Sequence, residues 1–181
     1  WVDEQEPVSV QDVKAQARFV FDNEDALIAR CIAAARARCE GDINRRIRRV
    51  RMELTFDAWG TGLRLDRMGH EVSVTSIVYR DTAGEIQDWP ASQYRIAKGQ
   101  ILRIVPGAGL GFPALNQNLS EIAVTLEAGW ANAAMVPEPL RHWIIATAAS
   151  MFRNRESHCE KPMTELEFIG GLLDEHRVSV L

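Results

Sequence analysis

The chain has 181 residues, 46% of them hydrophobic and 25% charged, with a formal net charge of -4. That is enough chain for one domain with a core of its own, too apolar for a disordered segment, and not the basic balance of a nucleic-acid binder. No apolar run approaches the ~20 residues that cross a bilayer, and the first residues lack the pattern of a secretory signal. The sequence begins at Trp1 rather than Met, so the native start is expected upstream.

Ser9-Val10-Gln11-Asp12 has the form of a capping box and predicts a helix over about 9–19. "FDNEDALIARCIAAARARCEGDI" predicts a second helix over about 23–41. Asn23 or Asp22 can cap it, Glu24 and Asp25 suit its positive end, and Gly41 marks its stop. Leu27, Cys31, Ala34, Ala35 and Arg38 fall near one stripe, with Ile28 and Ile32 beside it. The alanines permit close approach of a second helix.

The period then changes to two. Val50, Met52, Leu54 and Phe56 alternate with Arg51, Glu53, Thr55 and Asp57, the pattern of a strand with one wet face. "VSVTSIVYRDTAGEIQDW" predicts a hairpin turning at Asp81-Thr82-Ala83-Gly84, and "QYRIAKGQILRI" a second one turning at Ala97-Lys98-Gly99. "IAVTLEAGW" adds a strand. The β region is expected over about 46–130.

Helix returns over about 137–156, with Pro137 and Pro139 where proline is tolerated. Leu140, Trp143, Ile144, Thr147, Ala148, Met151 and Phe152 make one continuous stripe, widened by Ile145 and Ala149. A last helix over about 164–176 starts at a second capping box, Thr164-Glu165-Leu166-Glu167, and carries Leu166, Ile169 and Leu173. Strands segregated between helical ends predict an α+β fold, not α/β. The helices from the two ends must meet, with the antiparallel β region inserted between them.

Residue patterns that carry chemistry are few. Cys31, Cys39 and Cys159 are an odd set without a C-x-x-C pair and read as buried thiols. His158-Cys159 lacks two further ligands at metal spacing, and His70, His142 and His176 stand alone. No metal and no cofactor is expected. "PGAGLGF" (106–112) has the glycines of a phosphate cradle, but Phe112-Pro113 follows where a helix should start, so it reads as a loop. No G-x-S-x-G or H-E-x-x-H is present, and no catalytic residue is expected.

One feature stands out in charge. Eight of the eighteen arginines lie in residues 30–51, opposed there only by Glu40 and Asp42. Arg36, Arg38, Arg45, Arg46, Arg48 and Arg49 either contact DNA phosphates or an acidic partner, or belong to a solvated helix end and strand face paired with nearby acids. The first alternative makes a nucleic-acid-binding accessory protein the second functional reading.

Taken in order, the pieces resemble the head-tail connector (adaptor) proteins of tailed bacteriophages, over roughly 9–177. "KAQARF" resembles the family's Lys-x-x-Leu-Arg segment, with Ala17 in place of Leu. "NEDALIARCIAAARARCE" resembles its acidic-start helix. "NRRI" stands where the family has a Thr-Gly-Arg turn, without the Gly, and "VTSIVYRDTAGE" resembles its central hairpin. "VTLEAGW" followed by "VPEPLRHWIIATAASMFRNRES" is the most specific piece, and "LLDEHR" resembles the closing helix. The resemblance implies a single connector domain, no enzymatic activity, and a virion neck location after assembly in the host cytoplasm. It implies a ring of about twelve copies on the portal protein that extends the DNA channel, passes genomic DNA non-specifically and seats a head-closure or tail protein, with no membrane contact. On that basis Trp143, Ile145, Ala149, Phe152, Leu166, Ile169 and Leu173 are candidate subunit or partner contacts. The loop 106–120 and the tail from Glu165 are expected docking segments.

Overall fold

The structure, a computed structural model, describes residues 5–68, 71–99, 101–116, 121–154 and 170–177. By its internal contacts the chain falls into two compact units: Arg49–Gly129, and the residues up to Arg48 together with Trp130–Arg177. Helices at both ends of the sequence and an inserted antiparallel β region make the α+β class expected from the sequence.

In the helical unit, α1 spans Val10–Ala17, α2 Asp25–Ile43 and α3 Glu138–Arg153. The capping box at α1 is present: Asp12 N–H donates to Ser9 Oγ at 3.1 Å, and Ser9 N–H donates to the Asp12 carboxylate at 2.8 Å. The α2 start differs from expectation. Glu24 is its N-cap and makes no side-chain cap bond, while Asp22 pairs with the buried Lys14 at 2.6 Å and Asp25 pairs with it too. The α2 end also differs. Gly41 lies within the helix, which stops at Asn44 in the left-handed region (φ 53°), its N–H returned to the Glu40 carbonyl. Asn tolerates that conformation through its short polar side chain.

The core stripe of α2 is Ile28, Ile32, Ala35, Cys39 and Ile43. Leu27 and Cys31 flank it and Ala34 is exposed, so the stripe is rotated from the expected one. These residues pack with Leu140, Trp143, Ile144 and Ala148 of α3. Each fully buried Ile or Leu contributes about 1.5–3 kcal/mol, which holds together helices separated by the whole β region. The closing segment is described only from 170, with a 3-10 turn at Asp174–His176; the capping box at Thr164 lies outside the described residues.

The β unit holds β1 (Val50–Phe56), β2 (Leu63–Leu65), β3 (Val72–Arg80), β4 (Ile86–Asp88), β5 (Tyr94–Ala97), β6 (Leu102–Pro106) and β7 (Ile122–Ala128). They form two antiparallel sheets, β1-β7-β3-β4 and β2-β6-β5. Ile77, Ile122, Val124 and Leu126 of the first share one apolar core with Leu63, Leu65, Leu102 and Ile104 of the second. Both expected hairpins are present, as β3–β4 and β5–β6. In the first turn Asp81 accepts the N–H groups of Ala83 (2.9 Å) and Glu85 (3.0 Å) and the Gln87 amide (2.9 Å). Those bonds, the Gln87 one foremost, hold its carboxyl below the usual range. Gly84 supplies the positive φ of 88° that closes the turn.

Candidate subunit and partner interfaces

The broad apolar surface of α3 packs against two helices rather than one. α2 covers one stripe and α1 the next. Phe19, just beyond α1, sets its ring edge-on to Phe152 at 5.1 Å, and the Arg153 guanidinium donates to the Gln16 carbonyl at 3.3 Å. Of the residues expected at an interface, Trp143, Ala149, Phe152 and Leu173 are buried in this core, and Ile145 is half-buried against it. Trp143 leaves its indole N–H without an acceptor among the described residues. Leu166 and Ile169 lie outside the described residues.

The arginine cluster is built around two carboxylates. Glu40, 9% exposed, accepts the backbone N–H groups of Ile47 (2.9 Å) and Arg48 (3.2 Å) through one oxygen. Its other oxygen faces Arg36 (3.3 Å) and Arg46 (3.5 Å). Glu6 takes Arg36 at 2.7 Å and Arg48 at 3.8 Å. Arg38 lies 3.9 Å from Asp42 across one helical turn. In the β unit Arg49 makes a forked contact to one oxygen of Glu127, at 3.0 and 2.9 Å. Arg45 has no carboxylate partner among the described residues; its Nε is enclosed, and burial pulls its pKa below the ordinary value. Arg30 and Arg51 are exposed. The cluster is thus mostly an internal ion-pair network at the turn from α2 into β1.

The glycine-rich 106–112 stretch is an anchored turn. Gly107 N–H donates to the Gln93 carbonyl at 2.8 Å and Leu110 N–H to the Gly107 carbonyl at 3.0 Å. Phe112 then stacks on Trp59 at 5.4 Å, and the Trp59 indole N–H donates to the Pro113 carbonyl at 2.8 Å. Trp89 and Tyr79 complete the aromatic cluster. Leu110 is left at the exposed tip.

Among the described residues no group of three or more His, Cys, Asp or Glu is placed to hold a metal ion, and no helix is long and apolar enough to cross a membrane. Burial, with Asp42 and Glu40 nearby, pushes the Cys39 thiol up to about 12, which keeps it protonated and unreactive near neutral pH. Cys159 lies outside the described residues.

No protein-family model and no curated protein matches the chain. The fold, however, is shared with solved chains of a neck assembly. A chain from the neck of an empty gene transfer agent (GTA) particle, computed with C6 symmetry, superposes with a TM-score of 0.77 at 20% identity, covering 97% of this chain and 91% of that one. A chain from the virion of a native GTA particle gives 0.75 at 20% identity over the same shares. One from the neck of the native particle, computed with C12 symmetry, gives 0.71 at 20% identity over 98% and 96%. The architecture is that of a chain found in a particle neck, and it extends over nearly the full length of both partners.

Proposed function

We propose that this chain is a structural subunit of the neck of a phage-like virion, a head-tail connector that assembles as a ring of about twelve copies. In this reading it sits on the portal protein, extends the channel through which genomic DNA passes, and seats a head-closure or tail protein. It performs no chemistry of its own. The two units act together as one connector subunit.

The observation that carries the reading is the full-length likeness to chains of GTA particle necks. A short shared motif would leave the helical and β units to be explained separately; a match over 97% of the chain includes both. The segment order read from the sequence points to the same class independently. The C6 and C12 symmetries of the neighbouring neck structures support a closed cyclic assembly. The alternative, a nucleic-acid-binding accessory protein using residues 36–51, draws less support. Arg36, Arg38, Arg46, Arg48 and Arg49 already face carboxylates of the same chain, leaving less free cationic charge for phosphate.

Electron microscopy of the purified protein, alone and mixed with portal, tests the proposal. Rings, or caps on portal, are the expected result. A chain that stays monomeric and leaves portals bare while retarding duplex DNA would replace this reading with the alternative.

A further inference from the structure

The two sheets of the β unit turn chemically opposite faces to solvent. On the three-stranded sheet, Leu63, Leu65, Leu102 and Ile104 point into the core, so the residues between them point out. Arg64 lies directly opposite Arg103 in the β2–β6 register, and Arg95 is one pair further along β5 on the same outward face. All three are exposed. Arg64 has Asp66 at 3.3 Å; Arg95 and Arg103 have no carboxylate partner among the described residues. Like charges set opposite one another across strands destabilise a sheet, and Asp66 offsets only the Arg64 side of this pair.

On the four-stranded sheet the outward face is acidic. Leu54 and Val124 are inward partners, which turns Glu53 out; Ile77 is inward, which turns Val78 and its partner Asp88 out. Asp57 follows directly on the end of β1 and is exposed. Glu53, Asp57 and Asp88 are exposed and unpaired among the described residues. On this face Arg49 and Arg80 are already matched, by Glu127 and Glu121. Arg51, the outward cation of β1, lies opposite the same Glu127 in the β1–β7 register. One unit therefore carries unmatched cations on one outer face and an excess of unmatched anions on the opposite one.

We propose that these two faces meet between neighbouring copies: the arginine face of one chain docks on the Glu53–Asp57–Asp88 face of the next, head to tail. This inference rests on the ring reading and deepens it by naming the contact. A heterologous contact between different faces propagates around an axis, and closes when the rotation per copy divides the circle. Each exposed pair contributes little alone. Repeated around a ring, they set which copies face each other and in what register, and they make assembly sensitive to salt.

Two variants of the full chain test it. Arg95→Glu/Arg103→Glu makes both faces acidic, and Glu53→Arg/Asp88→Arg makes both basic. Each alone should self-associate at least about tenfold more weakly than the wild type, as like faces repel. An equimolar mixture should recover ring formation, because each variant then offers the other its complement. Sedimentation velocity and negative-stain microscopy read both outcomes, and recovery in the mixture shows that the variants are folded. Rings formed normally by either variant alone, or a mixture that stays dissociated, would overturn the contact while leaving the ring reading intact. A wild-type chain that never forms rings, with or without portal, would overturn both. Loss of duplex DNA binding in the arginine variant while its rings persist would reassign that face to phosphate.

Discussion

The Glu40 carboxylate accepts the Ile47 backbone N–H at 2.9 Å, across seven residues and around the left-handed turn at Asn44. One buried acid thereby ends a helix, orders the segment leading into β1 and gathers Arg36 and Arg46. Glu40→Ala strands two backbone donors and part of an arginine network. It should destabilise the protein by about 2–4 kcal/mol in chemical denaturation followed by circular dichroism. Glu40→Gln keeps one acceptor oxygen and the side-chain volume, so it should cost clearly less.

Phe152 joins α3 to the segment after α1 through Phe19. Phe152→Ala opens a cavity at that junction and should cost about 3–4 kcal/mol. The Phe19→Ala effect should be smaller, because Phe19 is more exposed. The two losses should be less than additive in a double-mutant cycle, since both remove one ring contact.

Phe112 pins the 107–116 loop onto Trp59 and Trp89. Phe112→Ala should shift tryptophan emission to the red and raise hydrogen exchange and protease cutting within this loop. The cost in global stability should stay near ~1 kcal/mol, because the ring is only half-buried. Unchanged exchange there would mean that the Gly107–Gln93 bond and the Trp59–Pro113 bond hold the loop unaided.

The Asp12 carboxyl is held below its ordinary value of 3.8, first by the Ser9 backbone N–H and then by the Ser9 hydroxyl. The folded value is the lower one, so this stabilisation is complete above the ordinary value and disappears as pH falls through the folded one. Asp12→Asn should cost about 0.5 kcal/mol at neutral pH, the low end for a helix cap because water screens it. The variant and the wild type should converge in thermal melts once the pH has fallen below the folded value.

The elements with a local cause were legible in the sequence. Ser9 and Asp12, the Asp81–Gly84 turn and the prolines at the start of α3 each act on residues a few positions away, and each is where the spacing put it. The alternating face of 50–57 was legible for the same reason. What was hidden depends on distant partners. β2 is three residues long and exists as a strand through β6, some forty positions on. The placement of β7 between β1 and β3 cannot be read from any one segment. Gly41 looked like a helix stop because the stabilising bonds to Glu40 come from beyond it. The arginine cluster read as a patch because Glu6 and Glu127, two of its acids, are far away in the chain. The converse holds for Arg64, Arg95 and Arg103, which are scattered in sequence and assembled only by strand register.

The β unit begins and ends at one spot: Val50 is the register partner of Ala128, at the two limits of the inserted stretch. In the helical unit the neighbouring positions are likewise joined, with Trp130 N–H donated to the Ile47 carbonyl at 3.1 Å. A segment whose two ends are already side by side can be lost, lengthened or exchanged without re-routing what flanks it. The helices therefore form a frame whose continuity does not depend on what is carried between residues 48 and 130, and the sheets are an inserted cassette that can change in length without re-routing that frame.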